Sequence, residues 1–339
     1  MIFSSKFFSN KRVGLDAKAI QSAHSGVVYR VGGLAIYITL IVSVSILLLS
    51  DFDAFELSVL VFSALPVFLI GMAEDIGFPM HPYRRLAASV ISGFLILIIL
   101  DMWISAVAIP GIDTLLRFAP IGIAFTIFST TGVVNAFNLI DGLNGLSSYV
   151  SISTAVSLYI VAESIGYYQI STLMVLISVI VMGFLLLNFP NGKIFLGDAG
   201  AYILGHILVW SSIILVNFES NLSPFSILLI FFWPIADTIL AIWRRWRLGN
   251  PTDRPDRLHF HQLAMRLIEI RFIGRGKRKI SNPVTTIILI PFITIPQILG
   301  VIFINDLSVT IWCTLGMIIL FVTTYLGGIY LARKKLRRN

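Results

Sequence analysis

The chain has 339 residues, of which 57% are apolar and only 12% charged. So few charges cannot cover so much apolar surface in water, which excludes an ordinary soluble enzyme and a disordered chain; the single cysteine, Cys313, excludes a secreted disulfide scaffold and a zinc cluster. The net charge of +8 is spread between apolar runs, so the expected partner is a lipid bilayer and not nucleic acid.

A helix needs about 20 mostly apolar residues to cross the hydrocarbon core. Ten runs approach that length, at roughly 33–50, 56–73, 86–103, 119–137, 146–163, 168–187, 200–217, 224–243, 284–304 and 308–331. They are continuous rather than alternating, which argues against a β-barrel. The segment before the first run carries Lys6, Lys11, Arg12, Lys18 and Arg30 and shows no cleavage-site pattern, so no removable signal peptide is expected. With the N-terminus inside, every Lys and Arg except Arg117 falls on the inner side. The outer segments instead hold Asp51, Asp53, Glu56, Asp101, Asp113, Glu163, Glu219 and Asp306. This separation follows the positive-inside rule. The expected fold is an all-α integral membrane protein, a polytopic bundle of about ten transmembrane helices with both termini cytoplasmic. It forms one domain over 1–339, with a long basic cytoplasmic loop at 244–283.

Four polar stretches lie at the inner ends of these runs. The first, GMAEDIGFPMHPYRRL at 71–86, holds the adjacent carboxylates Glu74 and Asp75, which repel each other unless a cation stands near. In the second, NAFNLIDGLNGL at 135–146, Asn135, Asn138, Asp141 and Asn144 recur every three residues, a spacing that on a helix keeps them on nearly one face. Polar groups concentrated at a membrane boundary are costly unless they bind something. The third, NFPNGKIFLGDAGAYILG at 188–205, sets Asp198 between Gly197 and Gly200 at a helix start, with Lys193 and Phe195 before it. Alone, Asp198 reads equally well as a helix cap. The fourth, NPTDRPDRLHFHQL at 250–263, pairs His259 with His261 behind Asp256 and Arg257. Two histidines can bind metal, exchange protons or donate to phosphate. The neighbouring Arg244, Arg245, Arg247 and Arg254 suit an anionic ligand, although the positive-inside charge by itself also accounts for the Arg244–Arg247 cluster. Together the stretches suggest a divalent cation and a phosphorylated ligand at one membrane face. Oxygen donors suit magnesium or manganese rather than zinc.

In this order the four stretches resemble the polyprenyl-phosphate N-acetylhexosamine-1-phosphate transferases, the glycosyltransferase family 4 type. The likeness runs from about Asp16 to Leu263 and is strongest at Asn135–Leu146, Phe195–Gly200 and Asp256–His261. A weaker match places Asp16, His24, Arg30, Gly32 and Gly33 on the starting motif of the sugar-1-phosphate branch, with Gln21 and Ser22 in place of an Arg-Lys pair. Because few residues precede Asp16, the extra N-terminal span of many members is not expected. The resemblance implies transfer of a sugar-1-phosphate from a UDP-N-acetylhexosamine to a polyprenyl phosphate, with release of UMP. The setting would be a bacterial cytoplasmic membrane, at its inner face. It also implies roles: Glu74, Asp75, Asp141, His259 and His261 as catalytic, Asn135, Asn138, Asn188, Phe195 and Arg257 as substrate-binding, and Asp198 as the ligand of magnesium, or of manganese in its place. Phe195 would stack on uracil. A homodimer is left open. Glu74, Asn144 and Gln262 depart from the usual pattern, which keeps a non-catalytic lipid- or nucleotide-binding member as an alternative. A transporter is disfavoured, because no repeat is visible and the polar groups gather at one face rather than at midplane. On this reading Asp75 engages the polyprenyl phosphate as a base or by positioning it, and direct attack is favoured over an aspartyl-phosphate intermediate.

Overall fold

The computed structural model describes residues 28–247, 249, 258–274 and 276–336, with side chains to 331. Asp16, His24 and the candidate binder Arg257 lie outside the described residues. Almost everything described is helical; among the described residues the β-structure is one isolated bridge, Tyr29 to Ile194. The helices are α1 (Gly32–Leu48), α2 (Phe55–Ser63), α3 (Leu65–Asp75), α4 (Pro82–Leu100), α5 (Ile112–Leu116), α6 (Ala119–Leu139), α7 (Leu146–Ser164), α8 (Tyr168–Asn188), α9 (Gly197–Phe218), α10 (Pro224–Ile230), α11 (Phe232–Arg247), α12 (Phe260–Ile268), α13 (Arg278–Ile302) and α14 (Leu307–Leu336).

Eight of these elements are long and apolar enough to cross a membrane, with α2 and α3 together forming one of them, Phe55–Asp75. Two of the ten expected spans differ from plain crossings. The first, α1, has 17 residues, short of the usual length. The run at 224–243 is α10 and α11, which meet at an angle of 82° around Phe231. The cause lies in Pro234: it has no N–H to give to the carbonyl of Ile230, four residues back. That carbonyl accepts instead from Gln297 Nε2 on α13 (3.2 Å), so a neighbouring helix satisfies the group that the bend exposes.

The core is organised around α9, which is buried along nearly its whole length. Close approach of backbones makes this possible. A Cβ on Gly33 of α1 would stand 2.2 Å from Gly200 N, and one on Gly71 of α3 would stand 2.5 Å from Ala199 N. Small residues let helices touch where lipid gives no hydrophobic drive between them. Tyr37 of α1 donates to the carbonyl of Val61 (2.9 Å), and His206 Nε2 of α9 pairs with Ser63 Oγ (2.9 Å) at the α2–α3 break. The consequence for function is that the ends of α3, α6 and α8 and the start of α9 converge at one end of the bundle. The chain around Tyr29 joins them through Phe195 N to Tyr29 O (3.0 Å). The far part of α14 reaches the same end, where Tyr325 Oη donates to Leu258 O (3.0 Å).

Candidate active site

The N-terminus of α9 carries unpaired backbone N–H groups and a partial positive charge. Asp75, the last residue of α3, supplies what they lack: its Oδ1 accepts from Asp198 N (2.9 Å) and its Oδ2 from Ala199 N (3.0 Å). Gly197 is required for this contact. Its φ of +77° is a left-handed conformation, and a Cβ there would stand 2.4 Å from Asp75 Oδ2. Asp75 is buried and both its oxygens are committed to the backbone of a neighbouring helix. That geometry makes it a cap delivered from another helix, a task different from engaging the lipid phosphate.

Asp198, on the first turn of α9, is held from two sides. Asn138 Nδ2 on α6 donates to its Oδ1 (2.7 Å), and the Arg30 guanidinium stands 3.7 Å from its Oδ2. The same guanidinium is 3.6 Å from Asp75 Oδ1. Asp141 belongs to this group of charges. Burial lifts its pKa to about 7; Arg30 opposes that rise, while Asp198 and Asp75 add to it. Glu74 turns to Arg85 of α4, with Arg85 Nη2 donating to Glu74 Oε1. Its other oxygen, Oε2, is buried and has no partner among the described residues.

The three-residue spacing from Asn135 to Asn144 does not continue one helical face. The helix ends at Leu139, so Asn135 and Asn138 lie on α6 while Asp141 and Asn144 lie on the connecting loop 140–145. Asn135 Nδ2 donates to Thr131 O of its own helix (2.8 Å). Asn144 anchors the loop: its N donates to Asn282 Oδ1 (2.8 Å) and its Nδ2 to Pro190 O (2.7 Å). Asn188 does similar work, accepting from Gly145 N (2.6 Å) and donating to Ile194 O (2.8 Å). In the structure both ends of its amide hold backbone. Phe195 is half-buried, and its backbone ties the loop to Tyr29 and Gly32.

The histidines are arranged by a residue that motif reading passed over, Asp237 of α11. His259 Nδ1 donates to Asp237 Oδ2 (3.1 Å), and Phe260 N donates to Asp237 Oδ1 (2.8 Å). His261 Nδ1 lies 3.5 Å from the same Oδ2. A carboxylate only accepts, so His259 carries its proton on Nδ1 and presents Nε2 as an acceptor. Trp233, Phe260 and Phe321 pack around this group edge to face and tilted. His261 is fully buried, and burial lowers its pKa with Asp237 pulling the other way, so the ring is neutral near pH 7. Its Nε2 would stand 2.6 Å from a Cβ on Gly142, which brings the histidine stretch against the loop of Asp141. All four polar stretches therefore meet.

Beside them opens a cavity of about 760 Å³ lined in part by Asn144, Gly192, Lys277, Arg278, Lys279 and Asn282. Three consecutive cations there suit an anionic ligand. The donor set of the neighbouring cluster fits magnesium. Asp198, Asp141 and the unpartnered Glu74 Oε2 are hard oxygen donors, yet among the described residues no three form a ready-made metal cage. A magnesium site commonly uses only one or two carboxylates, completed by substrate phosphates and water.

A family model described as glycosyl transferase family 4 matches residues 57–216, a stretch that contains Glu74, Asp75, Asp141 and Asp198. The chain is 27% identical over 255 residues to a probable undecaprenyl-phosphate N-acetylglucosaminyl 1-phosphate transferase of Bacillus subtilis, covering 74% of this chain and 69% of that protein. It is 28% identical over 279 residues to the decaprenyl-phosphate N-acetylglucosaminephosphotransferase of Mycobacterium leprae, covering 74% and 68%. To the undecaprenyl-phosphate alpha-N-acetylglucosaminyl 1-phosphate transferase of Escherichia coli K12 it is 24% identical over 262 residues, covering 76% and 70%.

Proposed function

We propose that the chain is a member of glycosyl transferase family 4 and that it moves an N-acetylhexosamine-1-phosphate from a UDP-sugar to a polyprenyl phosphate with release of UMP. It is a multi-pass membrane protein of the polyprenyl-phosphate sugar-phosphate transferase type. On our reading the site faces the cytoplasm of a bacterial cell, the product starts a lipid-linked envelope glycan, and magnesium takes part. The observation that carries the proposal is the convergence of the four polar stretches at one end of the bundle. Asp75 meets the start of α9, Asn138 meets Asp198, and His261 meets Gly142.

The chemical problem is to bring two anionic phosphates together. Magnesium held by Asp198, with Asp141 and Glu74 nearby, would neutralise the nucleotide diphosphate and favour UMP as leaving group. Asp75 and Asn138 keep Asp198 in place, one through the backbone and one through the carboxylate. The basic cavity beside Asn144 is large enough for a nucleotide and offers Lys277, Arg278 and Lys279 to its phosphates. His259, fixed by Asp237 through Nδ1, presents Nε2, an acceptor in the neutral ring that donates to a phosphate oxygen once the ring takes a second proton. A phosphate monoester has a second pKa of about 6 and is largely dianionic at neutral pH. It therefore attacks without a strong base, and orientation supplies most of the rate. This favours direct transfer. Asp198 and Asp141 act on the diphosphate, and Asp75 acts through Asp198.

A panel of UDP-sugars, each radiolabelled in the sugar, is the test. The purified protein, polyprenyl phosphate and magnesium should pass label to lipid from at least one UDP-N-acetylhexosamine, and a chelator should stop it. Tight nucleotide binding with no transfer from any of them would favour the non-catalytic alternative.

A further inference from the structure

We propose that Arg30 is the resident counter-cation of the carboxylate cluster, competing with the divalent metal for Asp198 and, once displaced, donating to the substrate's phosphates. The proposal rests on the reading of Asp198 as metal ligand and of a nucleotide diphosphate as substrate.

Backbone bonds on either side of Arg30 fix its place in the fold. Phe195 N donates to Tyr29 O (3.0 Å), Gly32 N to Phe195 O (3.0 Å) and Gly33 N to Leu196 O (2.8 Å). These bonds lash the stretch 29–33 to the loop that leads into Asp198. The guanidinium then falls between two carboxylates, 3.6 Å from Asp75 Oδ1 and 3.7 Å from Asp198 Oδ2. Close charge-assisted bonds are shorter, about 2.7–2.9 Å. Arg30 therefore balances charge between these two acids from beyond that distance, with its side chain 27% exposed.

The two acids differ in what they offer. Asp75 is buried with each oxygen accepting from the α9 backbone. Asp198 is partly exposed, with Oδ1 given to Asn138 and Oδ2 turned to Arg30. Asp198 Oδ2 is thus the oxygen over which a divalent cation and Arg30 compete. Like charges repel, so a metal bound there drives the guanidinium toward the next anion available. A planar fork of donors suits a diphosphate, which arrives with the metal. Metal binding and phosphate binding are thereby linked through one side chain.

The test uses the full chain in detergent and manganese alone as probe, read by loss of the free-ion paramagnetic resonance signal. Removing one positive charge a few ångströms from a divalent ion should tighten it about tenfold, even in a water-like dielectric. Arg30→Gln is expected to bind manganese about tenfold more tightly than the parent and to raise KM for the UDP-sugar about tenfold, with a smaller change in kcat. Arg30→Lys keeps the charge and loses the fork, so it should bind manganese like the parent and still show the raised KM. A general loss of structure would weaken both ligands. Arg30→Gln binding manganese no tighter than the parent, at an equal thermal midpoint, would overturn the proposal. Arg30→Lys tightening it as much as Arg30→Gln would do the same. Asp198→Asn separates the underlying reading: if that variant binds manganese like the parent, Asp198 is not the ligand, whatever Arg30 does.

Discussion

Replacing Asp75 by Asn keeps the side chain's shape and turns one of its acceptor oxygens into a donor. In the parent, Asp198 N and Ala199 N each point to a carboxylate oxygen at 2.9 and 3.0 Å. In the variant one of them faces an NH₂ group. Hydrogen bonds to a charged acceptor contribute about 1.5–3 kcal/mol, and a negative charge at a helix N-terminus adds about 0.3–1 kcal/mol. Relief from burying a carboxylate offsets part of this. The expected net loss is about 2 kcal/mol, a drop of a few degrees in thermal midpoint. The first turn of α9 loosens, and Asp198 moves with it. A displacement near 1 Å costs about 10²-fold in an aligned site, so kcat should fall by that order and manganese affinity should weaken in parallel. The assay compares initial rate of lipid-linked product, thermal midpoint and manganese affinity for parent and Asp75→Asn. A kcat lost while midpoint and metal affinity stay at parental values would refute the reasoning, because Asp75 would then act on the substrate directly.

Asp237→Asn removes the acceptor that fixes the His259 tautomer; kcat is expected to fall about 10²-fold with KM for the UDP-sugar nearly unchanged, and a parental kcat would take the histidine pair out of the chemistry. Asp141→Asn should lose activity yet gain stability. Burial raises the Asp141 pKa from 3.8 to about 7, so the folded chain holds this proton more tightly than the unfolded one. Its stabilising effect is full below 3.8 and fades as pH rises to about 7, and above that the buried carboxylate is a net cost. At about 1.4 kcal/mol per unit, the advantage of the variant grows to a few kcal/mol by pH 8 and vanishes near pH 3. Thermal midpoints across that range check it, and a constant difference would show that folding does not desolvate the Asp141 carboxyl.

Membrane character and the four polar stretches are legible in the sequence because both depend on local composition. The bend at Phe231 is less so, although Pro234 inside the run at 224–243 marks it. Asp237 in the same run is an ionisable residue among apolar neighbours, itself a signal of function, but its partners lie more than twenty residues on, and spacing cannot reveal them. The three-residue repeat from Asn135 misleads beyond Leu139, because periodicity has meaning only while the helix lasts. Asn144 and Asn188 sit inside functional motifs yet hold backbone, a distinction that depends on where Asn282, Pro190 and Ile194 arrive in space. Asp75 carries the same lesson. As half of an acidic pair it reads as reactive, and only the approach of α9 assigns both its oxygens.

The fate of the nucleotide's β-phosphorus tests the central claim most directly. UDP-N-acetylglucosamine, or whichever UDP-N-acetylhexosamine the panel selects, is labelled with radioactive phosphorus at the β-position and incubated with the protein, polyprenyl phosphate and magnesium. Sugar-1-phosphate transfer carries the label into the lipid, leaves UMP without it, and stops in Asp198→Asn. A lipid that gains sugar while the label stays in UDP would contradict the account, because the bond broken would then lie between sugar and phosphate.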